Sequence, residues 1–160
     1  MPHRISLRRG AVAAVVAGSL LAAPGAAGAA VPAAGYYSGA TVQPVLDPAE
    51  QPYAGSVDFK VFKYGSSKGT VRKILRIGAT TKLRCASGEM KEDRYLVYVI
   101  FGGNINRLGK FKYAGKGFTM TGRFTTRTSA QGTLSRTVGD CKVENVRWTA
   151  NRSTGGIPIS

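Results

Sequence analysis

The chain has 160 residues and sets 23 Lys and Arg against 8 Asp and Glu, a formal charge of +15. Its one histidine, His3, lies in a segment with the features of a removable export signal. Once that segment is gone no imidazole remains, which disfavours Ser-His-Asp and Cys-His catalysis.

The export features come first along the chain. Arg4, Arg8 and Arg9 form a positive start, residues 10 to 23 are mostly apolar, and Ala27-Gly28-Ala29 fits the A-x-A cleavage pattern. A cut before Ala30 is expected, with cuts after Ala30 or Ala34 as alternatives. Removing residues 1 to 29 leaves 20 basic residues against 8 acidic ones. That is one domain of about 130 residues. The apolar run is shorter than a standard membrane span and no second one follows, so a membrane anchor is the weaker reading. Arg8-Arg9 would suit a twin-arginine signal, but the residues around the pair favour general secretion. No cysteine lies near the cut to carry a lipid. The expectation is a protein that is secreted, extracellular or loosely wall-associated, with no intracellular nucleic-acid partner.

The mature chain divides by composition. Residues 30 to 52, with Pro32, Pro44, Asp47-Pro48 and Pro52, read as a flexible segment with a candidate edge strand at 36 to 41. The main domain is expected over 53 to 150, and a disordered tail over 151 to 160. Within the domain, residues 56 to 63 alternate, placing Val57, Phe59 and Val61 on one face. A turn at 64 to 69 leads into a strand at 70 to 77, with Val71, Leu75 and Ile77 opposite Arg72, Ile74 and Arg76. A further strand spans 80 to 86. Residues 88 to 93 suit a short helix or a polar loop. The nearly unbroken apolar run at 94 to 101 predicts a central strand covered on both faces. Phe111 and Tyr113 mark the next strand, residues 118 to 128 a longer one, and Gln131-Gly132 a turn into 133 to 138. After Gly139-Asp140, the last strand runs from 141 to 150 with Val146, Trp148 and Ala150 on one face, which assigns Trp148 to the core beside the cysteines. Seven to nine short strands with Gly-rich turns predict an all-β, two-layer antiparallel β-sandwich, with barrel-like closure as the runner-up.

Cys85 and Cys141 are the only cysteines. In an oxidising compartment an even pair in a small domain forms one disulfide. Zinc bound by these two residues would lack ligands, with neither histidine nor a C-x-x-C spacing to complete the shell. No cofactor and no metal are expected.

The order of several short segments resembles a group of small secreted β-sandwich proteins of high-GC Gram-positive bacteria. Gly35-Tyr36-Tyr37-Ser38-Gly39-Ala40-Thr41 is similar to that group's opening G-x-Y-x-G-x-T element. Val57, Phe59, Val61, Val71, Cys85, Phe118, Gly122-Arg123-Phe124, Gly132-Thr133-Leu134 and Cys141 follow in its order. Val146-Arg147-Trp148-Thr149-Ala150 resembles its closing V-x-W-T-A strand. The resemblance spans most of residues 35 to 150 and implies a sandwich. It implies no catalytic residues, since the group has none assigned. The proline-containing insert at 42 to 52 and the heavy basic loading depart from it.

Function is read from charge. The carboxylates fall in no catalytic motif, so no enzyme is expected. Lys60, Arg72, Arg76, Lys82, Arg84, Lys110, Lys112, Arg123, Arg127, Lys142 and Arg147 fall largely on outward phases, which predicts a basic sheet face drawn to anionic polymers. The candidate binding residues are Arg72, Arg76, Lys82, Arg84, Lys110, Lys112, Arg123 and Arg127, with Tyr36, Tyr37 and Tyr64 as stacking surfaces. The expected protein is a monomer binding an anionic envelope polymer or a polysaccharide. A structural envelope domain without a ligand, and an inhibitor of a protease or hydrolase, are the alternatives.

Overall fold

A computed structural model describes residues 30 to 43, 52 to 66, 69 to 100 and 103 to 154. The expected signal segment, the proline-rich stretch from 44 to 51, Phe101 and the last residues of the tail lie outside these. Eight strands follow one another: β1 Gly35–Val42, β2 Ala54–Ser66, β3 Gly69–Arg84, β4 Met90–Tyr98, β5 Lys110–Gly115, β6 Phe118–Phe124, β7 Ser129–Val138 and β8 Cys141–Arg152. All pair antiparallel in one sheet of order β4-β3-β2-β1-β8-β7-β6-β5.

The order describes two four-stranded meanders, β1 to β4 and β5 to β8, hinged along the β1–β8 ladder and folded face to face. The core between them is aromatic. Tyr37 and Phe59 from the first layer meet Phe124, Phe111 and Trp148 from the second, at ring separations between 5.3 and 6.2 Å. On the side opposite the hinge no ladder joins β4 to β5 among the described residues, so the expected sandwich is present and a closed barrel is not. Side chains bridge the seam instead. Tyr95 stacks on Phe118 at 4.2 Å, its hydroxyl lies 3.4 Å from that of Tyr113, and Arg136 Nε donates to Asp93 at 2.8 Å.

The alternating segments behave as their period requires. Val57, Phe59 and Val61 are buried, as are Val146, Trp148 and Ala150. In the β5–β6 hairpin, Lys116 (φ 51°) and Gly117 (φ 68°) both turn left-handed, the geometry whose twist suits a two-residue connection.

Several expectations are corrected. Residues 36 to 41 form no edge: β1 is central, flanked by β2 and β8, and belongs to the domain together with Asn151 and Arg152 at the end of β8. Residues 70 to 77 and 80 to 86 belong mainly to one long strand, β3, rather than two. The register slips by one residue between Lys60 and Val61, leaving Leu75 as an extra residue between Arg76 and Ile74. This bulge reverses the side-chain phase, so Ile74 and Ile77 are both fully buried and Arg72 turns toward the inner side. Residues 88 to 93 hold neither a helix nor a continuous loop; a tight turn ends there and β4 begins at Met90.

The apolar run from 94 is the largest correction. β4 terminates the sheet, and Leu96, Tyr98 and Ile100 are 53, 69 and 76% exposed. The run satisfies one buried face through Tyr95 and Val99 and leaves the other in solvent. Gln131-Gly132 is also not a turn. The chain reverses at 125 to 128, and β7 passes straight through Gly132.

Cys85 and Cys141 form the expected disulfide. It sits where β3 meets β8 directly, beside the Arg84–Lys142 pairing, in a small cluster with Leu83 and Val143. Trp148 lies in the main core and not beside the disulfide, because seven residues of β8 carry it well beyond Cys141.

The buried phenols make a pH test. Burial raises the pKa of Tyr37 and of Tyr95, the latter reinforced by the Tyr113 hydroxyl. A raised pKa means the folded state holds its proton more tightly than the unfolded chain. The stabilisation is therefore complete below the ordinary phenol value near 10 and is lost as pH climbs through the folded value. Stability is expected to fall only above about pH 10, with part of the phenolate absorbance appearing together with the unfolding transition. Tyr37→Phe and Tyr95→Phe should remove most of that late absorbance and leave the part due to Tyr53, whose pKa is raised by burial and by Glu92. Complete phenolate formation before unfolding would contradict the assignment.

Candidate functional site: a basic cross-strand groove

The second layer builds the site from its register. Phe111, Gly122, Gly132 and Trp148 are successive partners across β5, β6, β7 and β8. Period two sends all four toward the core, so on the outer face this row offers only backbone. The neighbouring rows point outward and stand as walls. One wall is Lys110, Arg123, Gln131 and Thr149; the other is Thr121, Thr133 and Arg147, extended by Val42 of β1, and Lys112 continues that row outside the groove. Between them lies an open groove of about 790 Å³.

The two glycines hold the floor flat by what they do inside. A Cβ on Gly122 would lie 2.5 Å from Trp148 Cζ2, and one on Gly132 would lie 1.9 Å from the Thr121 carbonyl oxygen. The indole thus occupies the space that two side chains would otherwise fill. Sequence reading found Lys110, Lys112 and Arg123, and placed Arg147 on an outward phase. It missed Thr121, Gln131, Thr133 and Thr149, because nothing in their local pattern shows that four strands align them.

The electrostatics are one-signed. Lys110, Arg123 and Arg147 are exposed, and no carboxylate lines the groove among the described residues. Thr121 and Thr133 are half-buried, with hydroxyl oxygens 3.0 Å apart, so one donates to the other and a lone pair or proton remains for a ligand. The groove therefore offers three mobile cations, hydroxyls and the Gln131 amide to an oxygen-rich anion.

The other predicted residues do not join it. Tyr37 is 0% exposed, and its hydroxyl lies within hydrogen-bonding distance of the Ala33 and Arg127 carbonyls (2.8 and 2.9 Å). It is a core residue and is withdrawn as a stacking surface. Arg72 leaves the basic face with the bulge, its Nε buried and without a hydrogen-bond partner. Arg76 lies 3.9 Å from Asp58. Tyr36 is covered by the Lys60 ammonium at 4.8 Å, and Tyr64 lies against Phe62 and beneath Lys73 at 5.7 Å. Lys82 sits over the Tyr53 ring, and Arg84 lines a second cavity beside the disulfide. Arg127 is exposed in the β6–β7 turn. The first layer's outer face is thus mixed, with Asp58 and Glu92 among its cations. The basic residues do not form one continuous face.

Cys85, Cys141 and Asp140 bring potential ligand atoms within 4.8 Å of one another. The two sulfurs are bonded to each other, however, and a metal is held by thiolates. In the oxidised protein this leaves a single carboxylate.

Fold and groove together define an eight-stranded, one-disulfide β-sandwich with a basic trough across one layer. Comparison of the chain with protein-family models, with curated proteins and with solved structures found no match.

Proposed function

We propose that the protein is exported and acts without catalysis, holding an anionic polymer or polysaccharide of the cell exterior against the outer face of β5 to β8. The observation that carries this reading is the groove itself: cations on both walls and no carboxylate among its described lining residues. Such a field concentrates polyanions and is weakened by salt. The reading includes the likeness to small secreted β-sandwich proteins noted for residues 35 to 150.

Binding of the disulfide-intact protein to anionic envelope polymers should be measured at low and high salt. Arg123→Glu with Arg147→Glu is expected to reduce affinity by at least an order of magnitude, since each reversal changes two charges at about 1 kcal/mol per charge. Lys82→Glu, on the other layer, should change it far less. Equal losses from both would mean that net charge alone drives adsorption, and retention of nothing at low salt would end the proposal.

Export implies processing, and the packing of residues 30 to 34 favours the cut before Ala30. Ala30 packs on the main core, and the Ala33 N–H donates to the Arg127 carbonyl at 2.8 Å. A cut after Ala34 would delete these contacts. The intact mass of protein recovered from the medium is expected to begin at Ala30; a start at Gly35 would contradict this.

A further inference from the structure

Resting on that reading, the groove's chemistry narrows the ligand class. Neutral and uronic sugars are held largely by aromatic rings laid against their apolar faces, and single-stranded nucleic acids by rings that stack on bases. This groove has neither. Its two aromatic residues, Phe111 and Trp148, are 5 and 2% exposed and direct their rings into the core. The half-buried tyrosines Tyr36 and Tyr64 belong to the other layer and are each covered by a lysine.

What remains is a set of donors suited to tetrahedral oxyanions. Arg123 lies beside Lys110 on one wall, and Arg147 faces them from the other wall two strands away. Planar guanidinium groups match pairs of phosphate oxygens, and a lysine adds a point charge. The ladder spacing separates the β6 and β8 cations by roughly 10 Å, which requires a ligand carrying more than one anion along its length. The backbone floor, free of side chains at Gly122 and Gly132, admits a thin chain but offers nothing to grip a ring. We propose that the groove binds a linear, base-free phosphodiester polymer of the polyol-phosphate type, lying across the strands with successive phosphates at the two walls.

The test compares three polymers matched in charge density: a poly(glycerol phosphate) oligomer, a polyuronate and a single-stranded oligonucleotide. Titration of the intact, oxidised protein is expected to give the tightest binding for poly(glycerol phosphate), by about tenfold. The slope of log K against log salt should be about −2, as expected when some three phosphates are neutralised at 0.7 each. Arg147→Gln should weaken that polymer about fivefold and bring the slope toward −1.4, with the oligonucleotide less affected. Lys82→Gln serves as the folded control. Equal affinity for all three polymers would overturn the phosphodiester assignment while leaving the anionic-surface reading intact. Preference for the oligonucleotide or the polyuronate would overturn it in favour of that class. Binding to none would remove both.

Discussion

Replacing Trp148 by alanine is expected to lower stability by about 4 kcal/mol, the upper range for deleting a buried indole, and to lower Tm by roughly 15 °C. The size of the effect follows from what the ring replaces. It lies edge-on to Phe59 of the opposite layer at 5.7 Å and beside Phe111 at 6.0 Å, and it covers two strand positions without side chains. Few neighbours can collapse into the space, because the nearest ones are glycines. The converse change tests the same geometry. Gly122→Ala puts a methyl group where Trp148 Cζ2 and Phe111 Cζ lie 2.5 and 2.7 Å away, so overpacking by about 2 kcal/mol is expected. In the Trp148→Ala background the indole clash is gone and Phe111 has a cavity to shift into, so the added methyl should cost less than it does in the unmodified protein. Denaturant unfolding of the two single variants and the double variant measures this coupling. Strictly additive losses would show that the glycines and the indole do not share one space.

The second large effect is expected from the disulfide. Cys85 and Cys141 enclose a separation of 56 residues, for which loop-closure entropy gives about 4 kcal/mol. Cys85→Ala with Cys141→Ala is the suitable replacement, because both sulfurs are buried with Leu83 and Val143 and a serine would bury an unpaired hydroxyl. The loss should carry a signature that Trp148→Ala lacks. Removing the link expands the unfolded chain, so the denaturant m-value should rise along with the fall in stability. Reduction of the unmodified protein should reproduce both changes. A variant losing less than about 1 kcal/mol with an unchanged m-value would show that the ladders alone already hold β3 against β8. The disulfide cluster and the Trp148 core hold different buried residues and meet at the half-buried Val143, so their effects should nearly add.

The comparison of sequence with structure turns on the range of the forces involved. Val57, Phe59 and Val61 were legible because period two is a property of a single strand: one face must leave water whatever the neighbours are. The same holds for Val146, Trp148 and Ala150. The disulfide was legible from compartment and count. By contrast, β4 was misjudged because an apolar run reports only that some burial occurs. Leu96 and Tyr98 face solvent because no third layer covers the outer face of β4 among the described residues, and no residue within the run encodes the number of layers. Gly132 was misread as a turn because its reason for being glycine stands on the neighbouring strands, in the Thr121 carbonyl and the ring of Trp148. Tyr37 was misread for a related reason: an edge strand would have left it exposed, whereas its ring lies in the core against Phe59 and Phe124.

The candidate groove lies at the same limit. Lys110, Lys112 and Arg123 could be assigned outward from local alternation, but so could Arg76 and Lys82, and nothing in the chain separates the two sets. The ladders do. They place Asp58 and Glu92 among the cations of the first layer and leave the groove of the second without a carboxylate among the described residues. From the sequence alone follow the all-β class, the strand phases away from the bulge, the cysteine pair and the excess of positive charge, all consequences of local period and composition. The tertiary structure alone decided which strands are central, where the phase reverses and which cations share a surface. Those depend on register between segments as far apart as Tyr37 and Arg152, and register is set by the packing of whole layers rather than by any one of them.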